Sequence, residues 1–158
     1  MYKVYSHPGW GSVMPEALLE LSGLPYEIVD LDLRGRPEGR RMLASVNPLV
    51  QLPTIVVPDG TVMTESGAIA LYIAEEAPEA GLAPLAGEPH RAAYLRWHFF
   101  MTATVYASHI IDDHADRWAS GEPAVTEIAA RGIAHRKELW AIVEANAGEP
   151  WFLGDTFS

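Results

Sequence analysis

Three short runs hold the residues best suited to recognising a small polar molecule: Ser6 to Ser12, Asn47 to Val57 and Thr64 to Ile69. In the second run, Pro53 cannot donate to a strand ladder, so it is expected to begin its strand at a sheet edge. The residue before it, Leu52, is then held extended with its own N–H and C=O unspent. That is a docking edge for a peptide. In the third run, Glu65 supplies a carboxylate for an ammonium group. Ser66 adds a hydroxyl and the free N–H groups of a helix start, which suit a carboxylate. Together they describe a cradle for a small zwitterionic peptide. Ser12 offers a further hydroxyl behind the glycine-flanked turn His7-Pro8-Gly9-Trp10-Gly11, at a predicted helix start. A plain helix cap is the competing role for it.

The elements that position these groups follow from local pattern. Lys3 to Ser6 reads as a strand entering a turn. Ser12 then caps a helix with Pro15 in its first turn, where the missing N–H costs nothing; Met14, Ala17, Leu18 and Leu21 form its stripe and Gly23 its end. Glu27 to Leu33 alternates Ile28, Asp30 and Asp32 against Val29, Leu31 and Leu33, as a strand with one wet face does. Glu38 to Ser45 is a short charged helix. Leu52 to Val57 and Val62-Met63 make a hairpin across Pro58-Asp59-Gly60-Thr61, and Glu65 to Ala77 is a helix with Ile69, Tyr72 and Ile73 on one face. Pro78 to Pro89 is rich in proline and glycine and separates this mixed segment from one that is helical throughout. There a first helix runs from Arg91 to about Trp118 through Trp97, Met101 and Val105. After Gly121, Pro123 starts a second that runs to Asn146.

A chain of 158 residues, 49% hydrophobic and 20% charged, has enough apolar content for one ordinary domain or two small ones. Its formal charge of −10 argues against nucleic acid, because phosphate binding needs a cationic face. The local exception is Arg34, Arg36, Arg40 and Arg41, either a solvated surface or a receiver for a ligand carboxylate. With no cysteine there is no disulfide and no protein thiol nucleophile, so any thiol chemistry needs a ligand that brings the sulfur. No stretch has the length of a membrane span and no leader pattern is evident, which suggests a cytoplasmic protein.

Tyr5-Ser6 through Ser12, Asn47-Pro48 with Gln51-Leu52-Pro53, Thr64-Glu65-Ser66-Gly67-Ala68-Ile69 and Phe152-Leu153-Gly154-Asp155, in this order and spacing, resemble the glutathione transferases, and in particular their cysteine-poor bacterial members. The resemblance implies an α/β thioredoxin-like glutathione-binding domain over residues 1–77, a linker over 78–89 and an all-α domain over 90–158. It also implies a homodimer, with glutathione as co-substrate, no metal, and a small hydrophobic electrophile as the second substrate in a detoxifying conjugation. On that pattern Leu52 pairs its backbone with the cysteine moiety of glutathione, Gln51 and a cis Pro53 flank it, and Glu65 and Ser66 hold the γ-glutamyl ammonium and carboxylate. The catalytic position is less direct. Related enzymes carry a cysteine where this chain has Gly11, which leaves Ser12 as the first candidate for activating the thiol and Tyr5 as the second. The family also shows a glycine where Val50 stands. Phe152 to Thr156 resembles the approach to a further buried helix, and the open flanks of Trp97, Trp140, Trp151 and Phe152 suggest that the natural polypeptide is longer.

Two other functions fit parts of the sequence. His109, Asp112 and Asp113 share a helix face and resemble a partial metal-ligand set, against an exposed acidic face. A non-catalytic glutathione-binding or assembly module on the same fold is the alternative to an enzyme, favoured by Gly11. Trp97, Met101, Tyr106 and His109 make a stripe that either lines an apolar co-substrate pocket or belongs to the core.

Overall fold

The computed structural model describes every residue except Arg36, Thr156 and Ser158. Arg36 of the basic cluster and Thr156 of the carboxyl-terminal run therefore lie outside the described residues. The chain divides into two compact units, Met1–Leu85 and Ala86–Ser158.

In the first unit β1 (Tyr2–Ser6), α1 (Val13–Ser22) and β2 (Tyr26–Asp30) form a parallel crossover. They are followed by α2 (Pro37–Ala44), the hairpin β3 (Thr54–Val56) and β4 (Val62–Met63), and α3 (Ser66–Glu76). The sheet runs β2-β1-β3-β4, with β3 antiparallel to both its neighbours. This is the thioredoxin-like order of mixed strands that the sequence led us to expect. Alternation along β1 sends Tyr2 and Val4 to one face, where they pack with Leu19 of α1, Ile55 and Val57, and Ile69 and Ile73 of α3. Each such fully buried side chain contributes about 1.5–3 kcal/mol. Tyr5 is sent to the other face, where Leu31, Leu33 and Leu43 gather Trp10, Val29, Val50 and Leu52.

Several local expectations are corrected. Pro53 does not mark a sheet edge: β3 is an inner strand, and Pro53 stands just before it, so no ladder bond is lost. The alternation from Ile28 to Leu33 is correct in burial, yet β2 stops at Asp30, because the Asp32 carboxylate accepts from the Arg34 and Gly35 N–H groups and folds the chain into a turn. Ser12 precedes α1 without capping it; its side chain makes no capping bond and its backbone is already helical at φ −66°. Gly23 ends that helix in the left-handed region, as expected.

In the second unit α4 (Arg91–Phe99), a π-helical turn (Phe100–Val105) and α5 (Tyr106–Asp113) form one helical run, followed by a 3-10 turn at Ala115–Arg117 and by α6 (Glu122–Glu144). The wider π turn explains why buried Trp97 and Val105 lie eight residues apart with Met101 between them, all in one cluster with Leu139 and Val143 of α6. The Thr102 hydroxyl donates to the His98 carbonyl inside this turn. Of the four aromatic residues expected to be hard to cover, Trp97 is buried against Phe152 and Phe100, while Trp140 and Trp151 are exposed. No helix among the described residues is long and apolar enough to cross a membrane.

Candidate functional site

The Leu52–Pro53 peptide is cis, and neither the N–H nor the C=O of Leu52 has a hydrogen-bond partner among the described residues. One buried side chain builds this segment. The Asn47 amide nitrogen donates to the Gln51 carbonyl and to Thr54 Oγ1, both at 3.0 Å, while its oxygen accepts from the Leu49 N–H. Thr54 Oγ1 donates in turn to the same Gln51 carbonyl at 2.8 Å. Gln51 itself is exposed, so its side chain is accessible while its carbonyl is fully occupied. Inside the loop, Val50 has φ 53°, in the left-handed region where a β-branched side chain is strained. The need for positive φ accounts for the glycine expected at this position.

Glu65 and Ser66 reach the same end of the sheet through the hairpin. Ile55 faces Met63 and Val56 faces Val62, so the chain leaving β4 toward Glu65 runs to the end of β3 from which Pro53 enters. Glu65 also has positive φ, 65° with ψ 107°, and precedes α3 without capping it. Its exposed carboxylate accepts from Thr64 Oγ1, at 3.4 Å. The Ser66 hydroxyl makes no hydrogen bond with the described residues and lies in the first turn of α3, where N–H groups lack helical partners.

Opposite Leu52 stands the start of α1. A Cβ added to Gly11 would fall 2.7 Å from the Leu52 carbonyl oxygen and 3.0 Å from Pro53 Cδ. Gly11 is therefore a close-approach glycine, and a cysteine there would collide with the Leu52–Pro53 backbone. The two hydroxyls expected near the sulfur differ sharply. Ser12 is fully buried, with Ser6 Oγ at 3.0 Å, and it accepts from the His7 N–H at 3.3 Å. Tyr5 is half-buried, packs in the cluster that includes Leu52 and Trp10, and its hydroxyl makes no hydrogen bond with the described residues.

Sequence reasoning missed the wall beside this site. Trp10 meets the edge of His7 with ring centroids 4.8 Å apart, and the Arg34 guanidinium lies 5.9 Å from its ring centre. His7 Nδ1 lies 2.7 Å from the Leu31 carbonyl, which can only accept, so Nδ1 carries the proton. Of the basic cluster, Arg34 thus borders the site while Arg41 pairs with Glu38 on the surface.

The acidic turn of the second unit is engaged otherwise. Asp112 forms a two-pronged pair with Arg136 of α6, whose hydrogen bonds outweigh burial and hold its carboxyl below the usual carboxylate range. His109 lies beside Tyr106. Among the described residues no group of three or more His, Asp or Glu side chains is placed to hold a metal ion. Trp97 and Met101 belong to the core, whereas Tyr106 is exposed, so the four-residue stripe does not form a single surface.

Residues 1–75 match the family model for the glutathione S-transferase amino-terminal domain. Over 98% of its length the chain is 35% identical to the uncharacterized GST-like protein YncG of Escherichia coli, covering 75% of that protein. It is 30% identical to the glutathione S-transferase GST-4.5 of Xanthomonas campestris, again over 98% of the chain and 74% of the relative. A glutathione transferase homologue from Sulfitobacter, solved with bound glutathione, superposes with a TM-score of 0.83 at 29% identity, covering all of this chain and 76% of that one.

Proposed function

Because the chain belongs to the glutathione S-transferase family, we propose that it binds glutathione and adds the glutathione thiolate to a small hydrophobic electrophile. The observation that carries this is the meeting of the Leu52–Pro53 backbone, free in both polar groups, with the start of α1 at Gly11. The Leu52 N–H and C=O pair with the cysteine moiety, flanked by Gln51 and Pro53. The Glu65 carboxylate takes the γ-glutamyl ammonium. Ser66 takes the carboxylate through its hydroxyl and the N–H groups of α3.

A free thiol with a pKa of ~8.5 is only slightly ionised at neutral pH. A hydroxyl donating to the anion adds roughly 1.5–3 kcal/mol and a helix amino end roughly 0.3–1. At about 1.36 kcal/mol per unit, and less the cost of desolvating the anion, these lower the thiol pKa by about one to two units, enough for substantial ionisation near pH 7. Of the two candidate hydroxyls, burial and inward bonding leave Ser12 without a path to a ligand, while Tyr5 is unbonded on the Leu52 face. The donor role therefore goes to Tyr5, with Ser12 as the rival.

Glutathione added to the protein should raise its apparent melting temperature, since a ligand selective for the native state stabilises it by mass action. The ultraviolet thiolate band of the complex, titrated with pH, should move up by about one to two units in Tyr5→Phe and stay in place in Ser12→Ala. A midpoint that moves in Ser12→Ala alone returns the role to Ser12. No stabilisation by glutathione at millimolar concentration overturns the whole reading. Binding without turnover of any electrophile favours the non-catalytic module.

A further inference from the structure

The Ser6 hydroxyl donates to Glu16 Oε1 at 2.5 Å, a short bond of the kind an ionised acceptor gives. Ser6 has one hydrogen, and it is spent there. The Ser6–Ser12 contact of 3.0 Å must then run from Ser12 to Ser6, and the Ser12 oxygen is left to accept the His7 N–H at 3.3 Å. The Ser12 hydrogen has one other acceptor, the His7 carbonyl at 3.4 Å, which lies in the same inward direction. A single ordered chain thus leads from the half-buried Glu16 carboxylate through two buried hydroxyls to the backbone of His7. The turn it closes, His7 to Ser12, is the one that sets Gly11 against the Leu52 carbonyl with no room for a Cβ.

We infer that Glu16 is a positioning residue for the ligand cradle, acting through Ser6 and Ser12 to hold the Gly11 turn against the Leu52–Pro53 backbone. This rests on the glutathione-binding function proposed above. The carboxylate touches neither Leu52 nor the ligand. Its part is to fix which way the two hydroxyl hydrogens point, because an acceptor at position 16 takes the Ser6 hydrogen and leaves Ser12 to donate to Ser6. With the acceptor gone, Ser6 is free to turn its hydrogen on Ser12, the Ser12 hydrogen is left with the longer contact to the His7 carbonyl, and the turn drifts by tenths of an ångström. At Gly11 that is enough to press on Leu52 or to open a gap beneath it.

Calorimetric titration with glutathione tests the chain. Glu16→Ala and Ser6→Ala should each weaken binding at least roughly five-fold, a part of what a hydrogen bond to a charged group is worth. Glu16→Gln should restore it, since the amide oxygen still accepts from Ser6. The double variant Ser6→Ala with Glu16→Ala should bind no worse than either single one, as members of one chain do. Should Ser6→Ala fold poorly, Glu16→Lys against Glu16→Gln makes the same comparison, because an ammonium cannot accept. Unchanged binding in Glu16→Ala, additive losses in the double variant, or no rescue by Glu16→Gln overturns the inference. Wild-type protein that binds no glutathione overturns instead the function on which it rests.

Discussion

Around Gly11 and Leu52 in the first unit, buried polar side chains dictate where the backbone goes; around Trp97 in the second, rings and methyl groups do. Asn47, Thr54, Ser6 and Ser12 are each at least nine-tenths buried and each hydrogen-bonded to loop backbone or to another of the four. The positive φ of Val50 and Glu65 falls in this same region. The second unit has its π turn, yet its core is Trp97, Val105, Leu139 and Val143 with Phe100, Met101, Phe152 and Leu153, and one ion pair ties α5 to α6. An apolar core tolerates small shifts because its contacts are non-directional. A hydrogen-bonded loop does not, since a buried donor that loses its acceptor costs about 1–3 kcal/mol. In the first unit the positive φ of Val50 thus falls where directional bonds over-determine the loop, while the second unit has its own positive φ at His90, 65°.

Substitutions can break or sharpen this contrast. Trp97→Ala should have the largest effect, about 3–5 kcal/mol in denaturant unfolding of the second unit, because it empties the middle of an apolar cluster. A loss under about 1 kcal/mol would mean that its core is not organised around that ring. The same small change in both units comes next. Gly11→Ala should cost about 1–3 kcal/mol together with most of the glutathione affinity, since its methyl group meets backbone. Gly132→Ala should cost clearly less: its methyl group meets Ile111 Cγ2 at 2.9 Å, and alanine gains up to about 1 kcal/mol inside a helix. Equal costs would erase the distinction. At position 50 the ordinary order of side chains should invert, with Val50→Gly more stable than Val50→Ala by about 1 kcal/mol, because glycine alone relieves positive φ. The usual order, alanine above glycine, would show that the loop relaxes.

The smallest effect concerns pH. The folded pKa of Asp112 is lowered, so its contribution is fully present above the unfolded value of about 3.9 and is lost as pH falls through the folded value. The stability difference between wild type and Arg136→Gln should therefore be constant near neutrality and shrink below about pH 4. A difference that persists to pH 2 would assign the effect of Arg136 to packing by its stem instead.

Periodicity and turn chemistry made much of this legible. The helix end at Gly23, the burial alternation from Ile28 to Leu33 and the hairpin across Pro58 to Thr61 are local patterns that formed, although β2 stops at Asp30. The expected stripe of α1 did not, since Pro15 and Leu19 are its buried residues while Ala17 and Leu21 are exposed. Strand order was not legible from Pro53, because a proline just outside a strand and one at a sheet edge look alike in sequence. The π turn at Phe100–Val105 leaves only the spacing of Trp97, Met101 and Val105 as its trace. At the site, the residue types of Leu52, Glu65 and Ser66 carry the proposed contacts. The inward bonding of Ser12 was hidden, since it depends on Ser6 and Glu16, ten residues apart and brought together only by packing of a helix on a strand. The Val50 strain was visible only as an expected glycine that is missing.

The Asn47 amide, pinned to Gln51, Thr54 and Leu49, has one more effect. It holds the turn before Pro53 through bonds internal to the loop, so that on the function proposed above a ligand would not have to organise its own receptor. Recognition then begins from a preorganised surface, and the entropy that ordering would have consumed stays available as affinity.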